Sequence, residues 1–394
     1  MRVLHITAYF APAFSYGGMP RSVLGLGRAL RQAGVEVEVF TTTANAGAEL
    51  PASPPEGDFY EGVPVRYFPL GFPRRVFRPR GLETALESRA GHYDLVHTHG
   101  LWNMPAWMTA RHARRRRIPY VLSPHGMLDA GAMAHHALRK RVAYWLLERR
   151  NLTGAALLHA TSSEEARSLE RWARDIPVAV VPNGVELRPE APPARDAFRR
   201  SLGLPQDTSL IVFLGRLHPI KRLDLLAAAF DRIRVARPGT HLMIAGPDEG
   251  GHRARLEPLF ARAGPAVRFM GELEEPAKWA LLANADVLVM CSQSESFGRS
   301  VLEALAAGVP VVVTRTCPWQ QVETTGCGFW VPHTAEAIAD ATLELLRDPA
   351  RARTMGERGR ALARSAYSWD AIARAMVLHY EAMASAWPRP VSVA

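Results

Sequence analysis

The sequence predicts an α/β protein of two doubly wound, Rossmann-like halves that face each other, and three observations predict it. Short apolar runs of strand length alternate with longer segments of helical apolar spacing, the pattern of parallel βαβ units. The strand-like runs end in polar or glycine residues, the end of a doubly wound sheet that carries ligands. Around residues 182–195, "PNGVELRPEAPPAR", proline and charge displace the periodicity, and a fresh strand opens at "LIVFLGRL". The expected domains are therefore 1–185 and 186–368 of a chain of 394 residues, a length that suits two such domains.

In chain order, "RVLHITAYF" is the first strand, "APAFSYGGMP" a loop, and "RSVLGLGRALRQAG" a helix closed by glycine. "VEVEVFTTT" is the next strand, followed by a polar Pro/Gly loop to about residue 62. "YDLVHTHG" (93–100), "IPYVLSPHG" (118–126) and "ALLHATS" (156–162) are further short apolar strands with polar ends. The second half repeats the alternation: "SLIVFLGRL", helix 221–236, "HLMIAGPD", helix 251–263, "VRFMGEL", helix 276–284, "ADVLVMCSQ", helix 300–307 and "VPVVVT". Three helical stretches follow "GFWVP", the last being "SWDAIARAMVLHYEAMASAW".

Composition narrows the class. The chain opens directly on a strand, so no signal peptide is expected, and no run of eighteen apolar residues predicts a membrane span. Cys291, Cys317 and Cys327 are the only cysteines, without paired spacing, which argues against a disulfide framework or a zinc site and suits a reducing cytoplasm. Net charge is +10, of which residues 1–185 carry +8, from 23 basic and 15 acidic residues. The excess clusters in "FPRRVFRPR" (72–80), "RHARRRR" (111–117) and "LRKRVAYWLLERR" (138–150). The last is a leucine and aromatic stripe edged by cations, which fits either a solvated helix face or contact with anionic lipid. No nucleic-acid-binding signature accompanies the charge.

Several residues at strand ends could do chemistry. "LGRLHPIKRLDLL" (214–226) puts Arg216 and Lys221 at a loop and helix start, two cations beside helix amides that suit a diphosphate. Only three of the 48 basic residues are lysine, so a lysine at 221 fits either a need for the compact ammonium there or chance placement. Gly17 and Gly18 precede the first helix, where backbone can approach an anion, but no G-x-G-x-x-G fingerprint is present. His125 in "SPHGML" ends a strand, positioned to hydrogen-bond a sugar or phosphate or else to cap a helix. His97 and His99 invite a metal reading, which the absence of a carboxylate or cysteine at ligand spacing argues against.

"SESFGRSVLEALAAGVPVVVT" (294–314) sets Glu295 and Glu303 across a strand-to-helix turn. Such a pair could be the acid and base of a glycosidase, ligands of magnesium, or ionised acceptors for sugar hydroxyls beside a phosphate-binding helix start. Spacing alone leaves all three open. The company of Arg216, Lys221 and the glycine loop favours a nucleotide diphosphate.

These motifs together resemble the retaining glycosyltransferases of GT-B fold. The resemblance runs through "YGG", "SPHG", "VPNGV", "GRLHPIK", "AGPDEGG", the E-x7-E element with "SFG" inside it, and the terminal "SWDAIA". It implies two facing domains, with the C-terminal helix (369–387) crossing back to the first. It implies that Glu303 binds the donor ribose and that Glu295 faces the transferred hexose with the amides of Phe297 and Gly298. Arg216 and Lys221 would hold the leaving diphosphate, aided by Gly17 and Gly18 and by the amides of Ser300 and Val301, and His125 would touch the sugar. No metal or other cofactor is implied. The expected activity is hexose transfer from a UDP- or GDP-sugar to an acceptor hydroxyl by front-face displacement, in surface polysaccharide or glycolipid assembly. The acceptor is a sugar or lipid-linked sugar, with Trp102, Asn103 and Asp129 as acceptor-side candidates by location. The resemblance also suits a cytoplasmic enzyme in peripheral contact with the inner face of an anionic membrane. A sugar-nucleotide epimerase of the same architecture and a non-catalytic nucleotide-sugar-binding protein are the competing readings.

Overall fold

Most strands of this chain are runs of four to seven residues in which apolar side chains fall on both faces, as expected of parallel strands covered on both sides. The computed structural model describes residues 1–46, 48–54, 56–89, 91–134, 137–187 and 195–387. Residues 188–194 of the expected linker and 135–136 of the basic segment's approach lie outside the described residues. The chain divides into two compact units, one of Met1–Gly184 with the segment from Trp369, the other of Val185–Ser368.

The first unit holds an eight-stranded sheet of order β3-β4-β2-β1-β5-β6-β7-β8. Its strands are β1 Arg2–Thr7, β2 Glu36–Thr42, β3 Asp58–Tyr60, β4 Val63–Phe68, β5 Leu95–His99, β6 Tyr120–Ser123, β7 Leu157–Ala160 and β8 Val178–Val180. Among these strands only β3 and β4 pair antiparallel. Leu4, Ile6, Val96, Leu122 and Leu158 point to one apolar layer, while Val3, Leu95, Val121 and Leu157 point to the other. The second layer is closed by the helices Gly18–Gln32 and Trp369–Ala386, so the C-terminal helix returns to the first unit. Glycine makes that return possible: a Cβ on Gly25 would sit 2.2 Å from the Trp369 ring, and one on Gly184 would sit 2.4 Å from it.

The second unit holds six strands, all parallel, in the order β11-β10-β9-β12-β13-β14. They are β9 Ser209–Leu214, β10 Thr240–Ala245, β11 Val267–Gly271, β12 Val287–Met290, β13 Val311–Thr314 and β14 Gly328–Val331. The "LIVF", "LMIA", "VLVM" and "VVV" runs are fully buried and form one core with the surrounding helices.

Four local expectations change. The loop expected up to residue 62 contains β3, and β4 and β8 are further strands that the alternation did not reveal. The helix expected at 251–263 is a single turn, Arg253–Leu256, followed by a 3-10 stretch to Ala266 that breaks at Gly264. Pro258 and Pro265 explain it, since neither can donate into a continuing helix. The helix expected from 221 starts at Leu223, after a 3-10 turn Pro219–Lys221 that ends in the left-handed conformation at Arg222. The stripe at 138–150 is helical but broken in pitch: Ala137–Ala143, a π-helical Tyr144–Glu148, then Arg149–Thr153. Among the described residues, no helix is long and apolar enough to cross a membrane.

Candidate active site

In the second unit the site grows from two neighbouring strand ends. β9 runs into Gly215 and Arg216 and then the Pro219–Lys221 turn, and β12 runs into Ser292 and Glu295 before the helix Arg299–Ala307. The two loops are tied together by the Gln293 amide donating to the Ile220 carbonyl at 2.7 Å. The Cys291 thiol lies 3.3 Å from the carbonyls of both Lys221 and Arg222. Burial pushes that thiol's pKa up, and Cys317 likewise to about 12, so both act as packing groups.

Lys221 Nζ donates to Glu295 Oε1. Both side chains are largely covered, 12% and 11% exposed, and Ser292 Oγ adds a hydrogen bond of 2.8 Å to the same carboxylate oxygen. Glu303 forms a second pair of the same kind: Lys278 Nζ lies 3.0 Å from its Oε1 and 2.9 Å from Glu275 Oε1, with Arg299 at 3.6 Å from Glu303. Each glutamate of the E-x7-E element thus holds one of the chain's three lysines. Lys278 was missed at the sequence level, although the rarity of lysine, which singled out Lys221, applied to it equally.

Gly298 begins the helix with φ 80°, a conformation that glycine adopts without penalty, and a Cβ there would press within 3.1 Å of Trp319 Nε1. The Phe297 carbonyl accepts from that indole nitrogen, so both residues are locked from behind. Ser300 follows at a position where a helix amide has no acceptor of its own. Val301 departs from expectation: its amide donates to the Gly298 carbonyl at 3.0 Å and its side chain is buried. The tight turn that a left-handed Gly298 imposes is the cause. Arg216 is half-exposed and paired with Glu249.

The first unit brings together a different set. His125 follows β6 with φ 53°, and its Nε2 lies 3.1 Å from His99 Nδ1. His99 Nε2 continues to His5 Nδ1 at 2.9 Å. Parallel register explains the meeting, because His5 on β1 lies opposite His97 on β5 and all three rings share one face. A second chain has a fixed proton order. His159 Nε2 donates to the Val181 carbonyl (2.7 Å), so its Nδ1 accepts from Ser123 Oγ (2.6 Å). Ser123 Oγ in turn accepts from His97 Nε2 (2.6 Å), and His97 Nδ1 accepts from the Tyr380 hydroxyl of the C-terminal helix (2.6 Å).

Burial holds these imidazoles neutral, lowering His5 and His125 to about 3, His159 to about 4, and His97 and His99 well below the usual value. His5, His97 and His99 bring three ring nitrogens within 4.8 Å of one another, a spacing worth testing as a metal centre. The proton order leaves His97 with neither nitrogen available, so a hydrogen-bonded relay is the arrangement these residues fit. His5 entered that cluster unseen, since the sequence pairs only His97 with His99.

Glu165 fixes the turn that carries His125. Its buried carboxylate accepts from the Gly126 amide (2.6 Å), the Thr161 amide (2.8 Å) and the Thr161 hydroxyl (2.7 Å). Burial and the neighbouring Glu165 raise Asp129 to about 7, so this acceptor-side candidate takes up a proton near neutrality. Asn103 caps the helix Met104–Arg116: its side-chain oxygen accepts from the Ala106 amide at 2.9 Å and its nitrogen donates to the Leu101 carbonyl at 3.1 Å. Trp102 adopts φ 61° and donates its amide to Glu148 at 2.7 Å. Gly17, at φ 102°, precedes the helix that Gly18 opens, and both are accessible.

Comparison with known proteins assigns each half of the chain to a family model. Residues 194–362 match the family model described as glycosyl transferases group 1, and residues 17–184 match a glycosyl transferase 4-like domain. The chain is similar to a D-inositol 3-phosphate glycosyltransferase of Kineococcus radiotolerans, 32% identical across 92% of this chain and 90% of that protein. A protein of the same name from Streptomyces scabiei is 33% identical across 93% and 86%. Among solved structures, a sucrose-phosphate synthase from Thermosynechococcus elongatus superposes with TM-score 0.79 at 25% identity, over 98% of this chain and 99% of that one. Anabaena Alr3699/HepE in complex with UDP and glucose shares the fold with TM-score 0.77 at 20% identity, over 97% and 100%.

Proposed function

Because the chain belongs to the group 1 glycosyl transferases of GT-B fold and is a glycosyltransferase acting on nucleotide-sugar donors, we propose that it is a retaining hexosyltransferase using a UDP- or GDP-sugar. The observation that carries the donor assignment is the Lys221–Glu295 contact at the β9 and β12 ends, together with the Lys278–Glu303 contact between the helices Glu275–Ala283 and Arg299–Ala307. An ammonium has three donors, and Glu295 occupies one at Lys221, leaving the others for a diphosphate. In this reading Lys221 and Arg216 stabilise the departing diphosphate, with the helix start at Gly298 and Ser300 adding amides. Glu295 faces the hexose with Phe297 and Gly298, and Glu303, poised by Lys278, takes the ribose hydroxyls.

The acceptor hydroxyl bonds to the anomeric carbon on the face from which the diphosphate oxygen leaves, and the departing phosphate takes the proton. Fixed cations supply the charge stabilisation, so the reading needs no metal. His125, neutral and anchored through His99, contacts the sugar as a hydrogen-bond partner, and Gly17 and Gly18 offer backbone to the donor. The first unit carries the acceptor side near Trp102 and Asp129. The acceptor we favour is a sugar or lipid-linked sugar in surface polysaccharide or glycolipid assembly, with the enzyme on the cytoplasmic face of an anionic membrane. Inositol 3-phosphate, which the names of the full-length relatives carry, is the competing acceptor.

The test is turnover of Lys221→Ala with a panel of UDP- and GDP-sugars and both acceptor classes. Turnover should fall about a thousandfold, the loss of one charge-stabilising group, with retained anomeric configuration in the residual product. A nearly unchanged rate would remove Lys221 from the leaving-group role, and an inverted product would end the front-face mechanism.

A further inference from the structure

The 137–150 segment is amphipathic in the wrong sense for a helix that belongs to a soluble surface. Its inward side is anchored by the Tyr144 ring, packed on Trp172 with its hydroxyl donating to the Trp172 carbonyl at 2.8 Å, and by buried Glu148, which accepts from the Trp102 amide at 2.7 Å and from Asn151 Nδ2 at 3.1 Å. Its outward side is apolar. Leu138, Val142, Trp145, Leu146 and Leu147 are all exposed, Leu138 by 77% and Leu146 by 72%, and they are five of the eleven large exposed hydrophobics among the described residues. Residues 138, 142, 145 and 146 recur at helical spacing, so they form one face.

Cations surround that face. Arg139, Arg141, Arg149 and Arg150 are exposed, and the Arg149 guanidinium sits 4.8 Å from the Trp145 ring centre. The structure also brings a second basic run alongside. Arg114, near the end of the helix Met104–Arg116, reaches the Arg150 carbonyl at 3.2 Å and Asn151 Oδ1 at 3.1 Å, which sets the "RRRR" of residues 114–117 next to the stripe. Of the acids on neighbouring elements, Glu148 is buried and Glu87 is paired with Arg116 and His112, while the helix Ser163–Trp172, which packs on Tyr144, carries Glu164, Glu165 and Glu170.

We propose that this face docks onto an anionic lipid bilayer, with Leu138, Val142, Trp145 and Leu146 entering the headgroup boundary and the arginines meeting lipid phosphates. Interfacial helices bind by this combination of an apolar wedge and a cationic rim, and tryptophan favours the boundary itself. A second copy of the chain is a poor occupant, because two such cationic rims repel. Nucleic acid is a poor one because the centre of the face is aliphatic. The segment hooks to the Trp102 loop through Glu148, so the bilayer would lie one helix thickness from the acceptor-side candidates. The inference makes specific the membrane part of the reading above and rests on it only for location.

The experiment is co-sedimentation of the full chain, without donor or acceptor, with vesicles of phosphatidylcholine containing roughly one-third phosphatidylglycerol. The chain should pellet with these vesicles at least about tenfold more than with pure phosphatidylcholine. The double variant Leu138→Asp with Leu146→Asp should lose about tenfold or more of the bound fraction, as should Arg139→Glu with Arg149→Glu. Val235→Asp, at an exposed apolar residue of the other unit, should bind as the parent does, and matched thermal unfolding of all variants establishes that they fold. Absence of binding by the parent, equal binding by the double variants, or a stable dimer in sedimentation velocity that the double variants abolish would overturn the proposal. Because no transfer is measured, failure here leaves the proposed reaction standing, and loss of the reaction leaves the docking result standing.

Discussion

Both units place polar residues where parallel strands end, yet they handle charge in opposite ways. The second unit keeps it: Lys221 with Glu295 and Lys278 with Glu303 are ion pairs almost covered by protein. The first unit suppresses it: four fully buried histidines are held neutral by burial and linked through Ser123, Tyr380 and one another. The difference follows from the partners each sheet offers. β1, β5, β6 and β7 present aligned histidines and Ser123, which hydrogen-bond to one another without ions, whereas the loops after β9 and β12 present Lys221 and Glu295, which pair as ions. Fixed charge suits the recognition of a diphosphate, and a neutral, oriented imidazole suits hydrogen bonding to an uncharged sugar.

Acid should break this comparison most strongly. In the folded first unit His5, His97, His99 and His159 stay neutral, whereas in the unfolded chain each takes a proton below its ordinary value of 6.5. Their contribution is therefore complete above about pH 6.5 and is lost as pH falls toward about 4 for His159 and about 3 for His5. At pH 5.5 each costs about 1.4 kcal/mol, so the four together remove on the order of 6 kcal/mol from the first unit. Hydrogen exchange at pH 7 and pH 5.5 should show protection lost in peptides of β1, β5 and β7 well before those of β9 and β12. Simultaneous loss in both units would show that the histidine network does not set the acid limit.

Removing one member of an ion pair should come next. Lys278→Ala strands the Glu303 carboxylate in a covered position with Arg299 as its remaining cation at 3.6 Å, which should cost about 3 kcal/mol in the second unit. Replacing both, Lys278→Met with Glu303→Gln, should recover most of that stability while donor affinity stays low. Urea denaturation followed by calorimetric titration with a nucleotide sugar separates the two effects. Equal stability of the single and double variants would mean that the pair is not the coupled unit it is drawn as.

How much of this was legible in the sequence depends on the range of the interaction. The apolar runs of β9, β12 and β13 and the glycine-closed helix expected at 300–307, found as Arg299–Ala307, are local patterns, legible because burial demands them. β3 and β8, with three residues each, are too short to show a period. The pairings that define the site are long-range. Lys278 reaches Glu303 across 25 residues and Lys221 reaches Glu295 across 74, so only the sheet order reveals which glutamate holds which lysine. His5 joins His99 across 94 residues by strand register alone. The bond from the Val301 amide to the Gly298 carbonyl is local, set by the turn at Gly298.

Asn103 gives the smallest effect and the sharpest distinction between a fold role and a site role in the first unit. Its side chain is already bonded at both ends, to Ala106 and Leu101, so the cap accounts for it without any acceptor. Asn103→Ala should cost about 1 kcal/mol, the usual loss of a helix N-cap, while Asn103→Asp keeps an acceptor at the helix start and should recover most of it. Steady-state kinetics varied in acceptor then decides between the two roles. If kcat/KM for the acceptor follows only the folded fraction, the residue positions the Trp102 loop and nothing more. If the aspartate variant regains its Tm but remains about tenfold down in kcat/KM, a loss of the size expected for one hydrogen bond to a substrate, the carboxamide touches the acceptor and must leave its cap to do so.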